Sequence, residues 1–321
     1  MQRGQFREVN RLNTPAGFGP LAEDAGIGTG DIKQDGGVRS GGDVGEVPLQ
    51  LSGFDTVEAQ TLCILRNAFQ PATVHIQRHD LADGGDLPTD DLCVRAARAL
   101  QVASGCPYGV DIHLDKQLPS GAGMGGGSSD AASTLLALNQ LWGLRWPRER
   151  LMPIGLKLGA DVPFFLGGQP AFVQGIGELL TPLSVPARRF AVLKGPAGLE
   201  TRAIFSSPHL AHSEKSAIVA GFPAQAKTLE NLVDGFGRND LQPAAVAISA
   251  QVLDAIRKLD ANFGNARMTG SGAAVFARLS GAGEDGRDER SLATLLQELP
   301  AGWTGRICRS LDQHPLRSWA G

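Results

Sequence analysis

Between Leu118 and Ala131 the chain places five glycines in seven residues, Gly121-Ala122-Gly123-Met124-Gly125-Gly126-Gly127, and follows them with Ser128-Ser129. On one side, Val110, Ile112 and Leu114 alternate with Asp111, His113 and Asp115, the pattern of a half-buried strand. On the other, Ala131, Leu135, Leu138 and Trp142 recur at helical spacing. A low-complexity linker rarely lies between a strand and an amphipathic helix, so the run reads as a structured loop. Glycines let the backbone take positive φ and approach an anion closely. The serines open a helix whose first amides are unpaired and whose dipole favours negative charge. Together these features predict a triphosphate cradle that needs no lysine. A serine hydroxyl at the helix start can also face a phosphate-bound Mg²⁺. No GK[ST] is present, so this is not a Walker loop. No acidic residue ends a second strand about twenty residues on, so it is not a dinucleotide fingerprint.

The rest of the chain divides into a glycine-rich beginning and a globular remainder. Met1 to Gly53 is polar, has no sustained period and buries too little apolar surface to offset ordering entropy. Gly26-Ile27-Gly28 has no strand before it, and Asp31 stands where a third glycine would fall, so it reads as coil. From about Thr73 the pattern is globular. Val74 and Ile76 suggest a short strand, and Thr89 is placed to cap a helix with Leu92, Ala96, Ala99, Leu100 and Ala103 on one face. Pro147 suits the first turn of another helix that Gly159 ends. Ala171 to Val173, Phe190 to Leu193, Ala273 to Leu279 and Ile307-Cys308 read as strands, and Val246 to Leu259 and Leu292 to Leu299 as helices. Strands and helices alternate without a regular βαβ rhythm, which predicts an α/β chain of the α+β type.

Composition narrows the function classes. With 321 residues, a formal net charge of −3 and 20% charged residues, nothing global points to nucleic acid or an anionic membrane. The four cysteines, Cys63, Cys93, Cys106 and Cys308, include no CxxC pair, and the six histidines form no metal-binding pair. Scattered thiols fit a reducing compartment, no apolar run spans a bilayer and the polar first residues give no secretory signal. The expectation is a cytoplasmic monomer or homodimer.

The segment from Leu118-Pro119 to Ser129 is similar to the second motif of the galactokinase, homoserine kinase, mevalonate kinase and phosphomevalonate kinase superfamily. Further blocks resemble the 4-diphosphocytidyl-2-C-methyl-D-erythritol kinase family in particular. They are Asp91 to Ala97, Leu158-Gly159-Ala160-Asp161-Val162-Pro163-Phe164-Phe165, Gly175 to Glu178, Thr201-Arg202-Ala203-Ile204-Phe205, Asn239-Asp240-Leu241-Gln242-Pro243 and Met268 to Ala273. They stand in the family's order and cover roughly Thr73 to Leu316.

The resemblance implies a two-domain small-molecule kinase fold with a ferredoxin-like C-terminal domain, placing the ATP-binding domain at 73–184 and the C-terminal domain at 185–321. It implies ATP and Mg²⁺ as cofactors and a small-molecule substrate with a cytidine diphosphate group. Pro119, Ser120, Gly121, Ala122, Gly123, Met124, Gly125, Gly126, Gly127, Ser128 and Ser129 would hold the triphosphate. Asp161 would take the proton of the accepting hydroxyl; without the resemblance it reads equally well as a turn aspartate. Gly270, Ser271 and Gly272 would face the phosphates and the acceptor, where the alternative is a hairpin turn. Thr201 and Phe205 fall where the family holds cytidine, although a lone phenylalanine also suits a core. Asp91, where the family usually has asparagine, reads as a helix N-cap, and Asn239 and Asp240 as a turn or cap.

The chain departs from the family at its beginning. The family's Pro-Ala-Lys-Leu-Asn-Leu and Gly-Tyr-His blocks have no match; Lys33 lies in a different context, and the one tyrosine is Tyr108. Composition and resemblance break at the same place, so residues 1–72 are expected to be a misread frame or a disordered segment. A genuine chain that has lost the lysine is the competing expectation.

Overall fold

The computed structural model describes residues 63–68, 76–80, 88–114, 116, 118–185, 187–210, 239–279, 286–311, 313–314 and 316–320. The readings made for Gly26 to Gly28, Lys33 and Val74 lie outside these residues. The chain forms two units. One takes Leu118–Gly125 and Gln169–Gln313; the other takes the described residues before Leu118 together with Gly126–Gly168 and His314–Gly321.

The second of these units begins with three strands. Strand β1 (Cys63–Ala68) runs antiparallel to β3 (Gly109–Leu114), and β2 (Ile76–Asp80) lies parallel to β3 on its other side. Residues 63–68, inside the stretch whose composition reads as non-globular, thus supply an edge strand; Cys63-Ile64-Leu65 is too short an apolar run to show a period. The crossover from β2 to β3 carries helix α1 (Leu92–Ser104). Its N-cap is Asp91, whose carboxylate accepts the Val94 N–H at 3.0 Å, rather than Thr89. Arg78 on β2 reaches both Asp80 and Asp91, tying strand to cap. The buried face of α1 is Cys93, Val94, Ala96, Ala97 and Leu100, while Ala103 is exposed, so the face is turned from the one that spacing predicts.

Helix α2 (Gly126–Leu141) is buried along most of its length, and Ala131, Leu135, Leu138 and Trp142 all lie in the core with Leu100, Ile112 and Leu114. Helices α3 (Arg148–Leu158) and α4 (Val162–Gly167) pack closely because Gly155 has no side chain: a Cβ there would stand 2.6 Å from Leu166 Cδ1 and 3.0 Å from Val162 Cγ1. The 3₁₀ turn Arg317–Trp319 completes the unit. Arg148 donates to the carbonyls of Arg317 and of Ala320, the latter at 2.6 Å.

In the other unit, β4 (Ala171–Gln174) and β5 (Leu179–Pro182) form a hairpin. Next come β6 (Arg189–Lys194), the short α5 (Thr201–Phe205), α6 (Gln242–Ile248), α7 (Ala250–Phe263), β7 (Arg267–Met268), β8 (Val275–Arg278), α8 (Arg287–Gln297) and β9 (Thr304–Arg309). The strands pair antiparallel in the order β7-β8-β6-β9. A β-α-β-β-α-β path with that order is the ferredoxin-like arrangement expected from the resemblance. The single helix read over Val246 to Leu259 is two helices, because Ser249 takes an extended conformation (φ −132°, ψ 111°) between them. Val252, Ala255 and Leu259 pack against Leu193, Met268 and Val275 in this unit's core.

Candidate active site

Within the ferredoxin-like unit two glycine loops interlock. The segment 118–125 is laid against the turn that joins β7 to β8. Ala273 N–H donates to Gly121 O at 2.9 Å, Ala274 N–H to Ala122 O at 3.0 Å, and Thr269 Oγ1 to Gly123 O at 3.3 Å. The approach is so close that a Cβ on Gly123 would stand 2.4 Å from Thr269 O, and one on Gly270 would stand 2.4 Å from Gly123 O. Gly121, Gly123, Gly125, Gly270 and Gly272 all have positive φ. Thr269 to Gly272 forms the hairpin turn between β7 and β8, and it is built against the other glycine loop. Among the described residues, no protein acceptor takes the amides of Ala122, Gly123, Met124 or Gly125, whereas the carbonyls of Gly121 to Gly123 are occupied. A loop with its carbonyls tied back and its amides unclaimed can accept an anion.

Thr201 and Ser271 meet through their hydroxyls at 2.9 Å, which brings the start of α5 to the β7–β8 turn. Phe205 is half-buried and packs against the core of this unit. Pro119 and Ser120 lead into the loop, and Met124 is buried beneath it.

Asn239 holds the β7–β8 turn from behind. It is 4% exposed, and its Nδ2 donates to Met268 O and Gly270 O at 2.8 Å each while its Oδ1 accepts the Leu241 N–H at 2.9 Å. Gln242 Oε1 adds a bond from the Met268 N–H at 2.9 Å. In the sequence Asn239 reads only as a turn or cap, within the block Asn239-Asp240-Leu241-Gln242-Pro243 that resembles the family.

The remaining candidates belong to the other unit. Gly126, Gly127, Ser128 and Ser129 form the first turn of α2, where backbone amides have no intrahelical partner. Asp161 stands at the N-cap position of α4, with Pro163 in the first turn, and its side chain does not cap that helix. The start of α2 lies near the turn carrying Asp161: Ser128 Oγ is 3.9 Å from where a Cβ on Gly159 would be. Lys116 and Asp130 form an ion pair that ties the chain before the glycine run to the first turns of α2, with side chains 14% and 4% exposed. This pair escaped the sequence reading, since neither residue belongs to a periodic pattern.

Two models of one kinase family match the chain: the GHMP kinases N terminal domain over residues 91–169, and the GHMP kinases C terminal domain over 221–303. A 4-diphosphocytidyl-2-C-methyl-D-erythritol kinase from Methylibium petroleiphilum is 52% identical over 246 residues, covering 76% of this chain and 80% of the relative. The enzyme of the same name from Cupriavidus metallidurans is 48% identical over 255 residues, covering 77% and 83%. The chain belongs to the 4-diphosphocytidyl-2-C-methyl-D-erythritol kinase family of GHMP kinases. A crystal structure of 4-(cytidine 5'-diphospho)-2C-methyl-D-erythritol kinase matches with a TM-score of 0.55 and 30% identity, over 77% of this chain and 87% of that one. A homoserine kinase from Cytophaga hutchinsonii matches with a TM-score of 0.60 and 20% identity, over 79% and 86%, which speaks for the shared fold. Membership in this kinase family implies use of a nucleotide. No helix among the described residues is long and apolar enough to cross a membrane.

Proposed function

We propose that this chain transfers the γ-phosphoryl group of ATP to the 2-hydroxyl of 4-diphosphocytidyl-2-C-methyl-D-erythritol, a step of the non-mevalonate route to isoprenoid precursors. The observation that carries this reading is the interlocked pair of glycine loops, in which the amides of Ala122 to Gly125 are unclaimed while the carbonyls of Gly121 to Gly123 are tied back. Phosphoryl transfer asks a protein for positioning and charge stabilisation more than for covalent chemistry. Residues Pro119 to Ser129 hold the triphosphate. Asp161 accepts the proton of the 2-hydroxyl as its oxygen bonds to the γ-phosphorus and the bond to the ADP oxygen breaks. Thr201 and Ser271, joined through their hydroxyls, present polar groups to the substrate together with Gly270 and Gly272. Phe205 supports the cytidine end from its place against the core.

Mg²⁺ accompanies the nucleotide in this reading. That ion takes few protein ligands and completes its shell with phosphate oxygens and water. The hydroxyl of Ser128, half-buried at the start of α2, is a hard oxygen donor of the required kind. The domain division expected at 184/185 differs from the two units that the chain forms, in which Gln169–Gln313 group with Leu118–Gly125. A cytoplasmic setting agrees with Cys93, Cys106 and Cys308, all buried free thiols. Burial pushes the Cys308 thiol far up, away from the reactive thiolate.

The deciding experiment follows ADP release by the full chain with ATP, Mg²⁺ and the cytidyl substrate, and repeats it with Asp161→Asn. Substrate-dependent release should fall about a hundredfold or more in the variant. Turnover of homoserine or mevalonate with none of the cytidyl compound would replace this substrate by another of the superfamily. A second reading, nucleotide binding without catalysis, is favoured by the unmatched lysine block; it gives ATP binding and no substrate-dependent release.

A further inference from the structure

Lys194 ends β6, is 7% exposed and takes no part in the proposed transfer. Its ammonium donates to three successive carbonyls, Gly195 O at 2.8 Å, Pro196 O at 3.4 Å and Ala197 O at 3.3 Å. An ammonium has three donors and no acceptor, so the three carbonyls use its full capacity. Burial lowers its pKa, a sign that the cation sits away from water. The opposite side of the same turn is held by Gln251 in the first turn of α7. Its Oε1 accepts the Ala197 N–H at 3.1 Å and stands 2.5 Å from where a Cβ on Gly195 would be. The turn is therefore curled around Lys194 and closed by Gln251.

What the turn delivers is the next two residues. Leu199 N–H donates to Gly121 O at 3.2 Å, and Gly198 Cα lies 3.1 Å from where a Cβ on Gly121 would stand. Gly121 has φ +64° and opens the glycine loop. We infer that Lys194 and Gln251 are positioning residues for the nucleotide: they fold the 195–197 turn so that Gly198 and Leu199 fix Gly121, and with it the amides that follow. This rests on the reading of the loop as the triphosphate cradle. Without the ammonium, three neighbouring carbonyls lose their common donor and the turn relaxes toward water. Gly121 O then keeps only the bond from Ala273, and the loop meets ATP less well organised, a cost that appears in affinity.

The test is equilibrium binding of a fluorescent ATP analogue to the full chain, well below its melting temperature, with cytidine diphosphate binding as the internal control. Lys194→Met is expected to weaken the ATP analogue about tenfold, and Gln251→Ala about threefold. Gln251→Glu keeps an accepting oxygen for the Ala197 N–H and is expected to restore the affinity lost in Gln251→Ala. Cytidine diphosphate affinity should stay within about twofold in all three. A role confined to stability would lower the melting temperature and leave the ratio of the two affinities unchanged. Folded Lys194→Met and Gln251→Ala chains that bind the ATP analogue like the unaltered chain would overturn the inference. Should Lys194→Met fail to fold, the contrast between Gln251→Ala and Gln251→Glu decides, and equal ATP affinity in the two sinks the idea. An unaltered chain that binds no ATP analogue would instead remove the cradle reading, and this inference with it.

Discussion

Changing Asn239 to Asp would alter one amide and remove both donors that hold the β7–β8 turn. Met268 O and Gly270 O would then face a carboxylate in a site only 4% exposed. An unserved buried carbonyl costs about 1–3 kcal/mol, and a buried charge without a partner adds to that. Asn239→Asp is expected to lose about 3 kcal/mol or more in chemical denaturation, and to bind ATP more weakly when folded, because Gly270 is packed on Gly123. Denaturation midpoints equal to those of the unaltered chain would show that the turn stands without its clamp. Residues of this kind divide what the sequence reveals from what it hides. The glycine run is legible because a dense cluster of glycine between a strand and a helix has few other uses. A clamping asparagine and a turn asparagine have the same letter, and only the path of the chain separates them. Lys116 and Asp130 are hidden for the same reason: their pairing spans the loop and follows no local period.

Elements were legible where one face is buried and ambiguous where burial is complete or a break is subtle. The spacing identifies three core residues in α2 and Trp142 just after it, but not the burial of nearly the whole helix. The break at Ser249 is invisible to periodicity because apolar residues continue on both sides of it. His314 shows an element-scale effect that no pattern carries. Its backbone N–H donates to Gly168 O at 2.8 Å, and its Nδ1 accepts the Leu316 N–H at 3.1 Å. Burial, with Arg148 beside it, lowers its pKa from 6.5 to about 4. Between those values the unfolded chain binds a proton that the folded chain refuses, so stability should fall as pH drops from about 6.5 to 4 and level off below. Thermal melts across that range should show a smaller decline for His314→Gln, which retains an acceptor for Leu316. An identical pH slope in the variant would mean that other groups govern the acid response.

At the scale of the whole molecule, each unit is assembled from separated stretches of chain, so neither is a simple half of the sequence. The order of motifs made the two-domain kinase fold legible, because the blocks follow the family's order from Asp91 to Ala273. The return of the last residues was not, since Leu311 to Gly321 carries no motif and too few apolar residues to declare a partner. Yet Leu316 and Ala320 are buried in the core formed by α1 to α4, and Gln140 Nε2 donates to Trp319 O at 2.7 Å. Arg148, whose pKa burial lowers, has its carbonyl acceptors at Gly167, Arg317 and Ala320. A chain ended after Gln313 would leave that guanidinium with Gly167 O alone, at 3.4 Å, and would uncover the surface that Leu316 fills. Burying a leucine stabilises by about 1.5–3 kcal/mol, and hydrogen bonds to a charged group contribute about 1.5–3 kcal/mol each. The truncated chain should therefore lose roughly 4 kcal/mol or more in denaturant titrations. Arg148→Met in the full chain should lose less, because Leu316 still packs. If truncation cost no more than Arg148→Met, the anchoring would reside in the guanidinium, and the apolar contacts of residues 316–320 would be incidental to the stability of this unit.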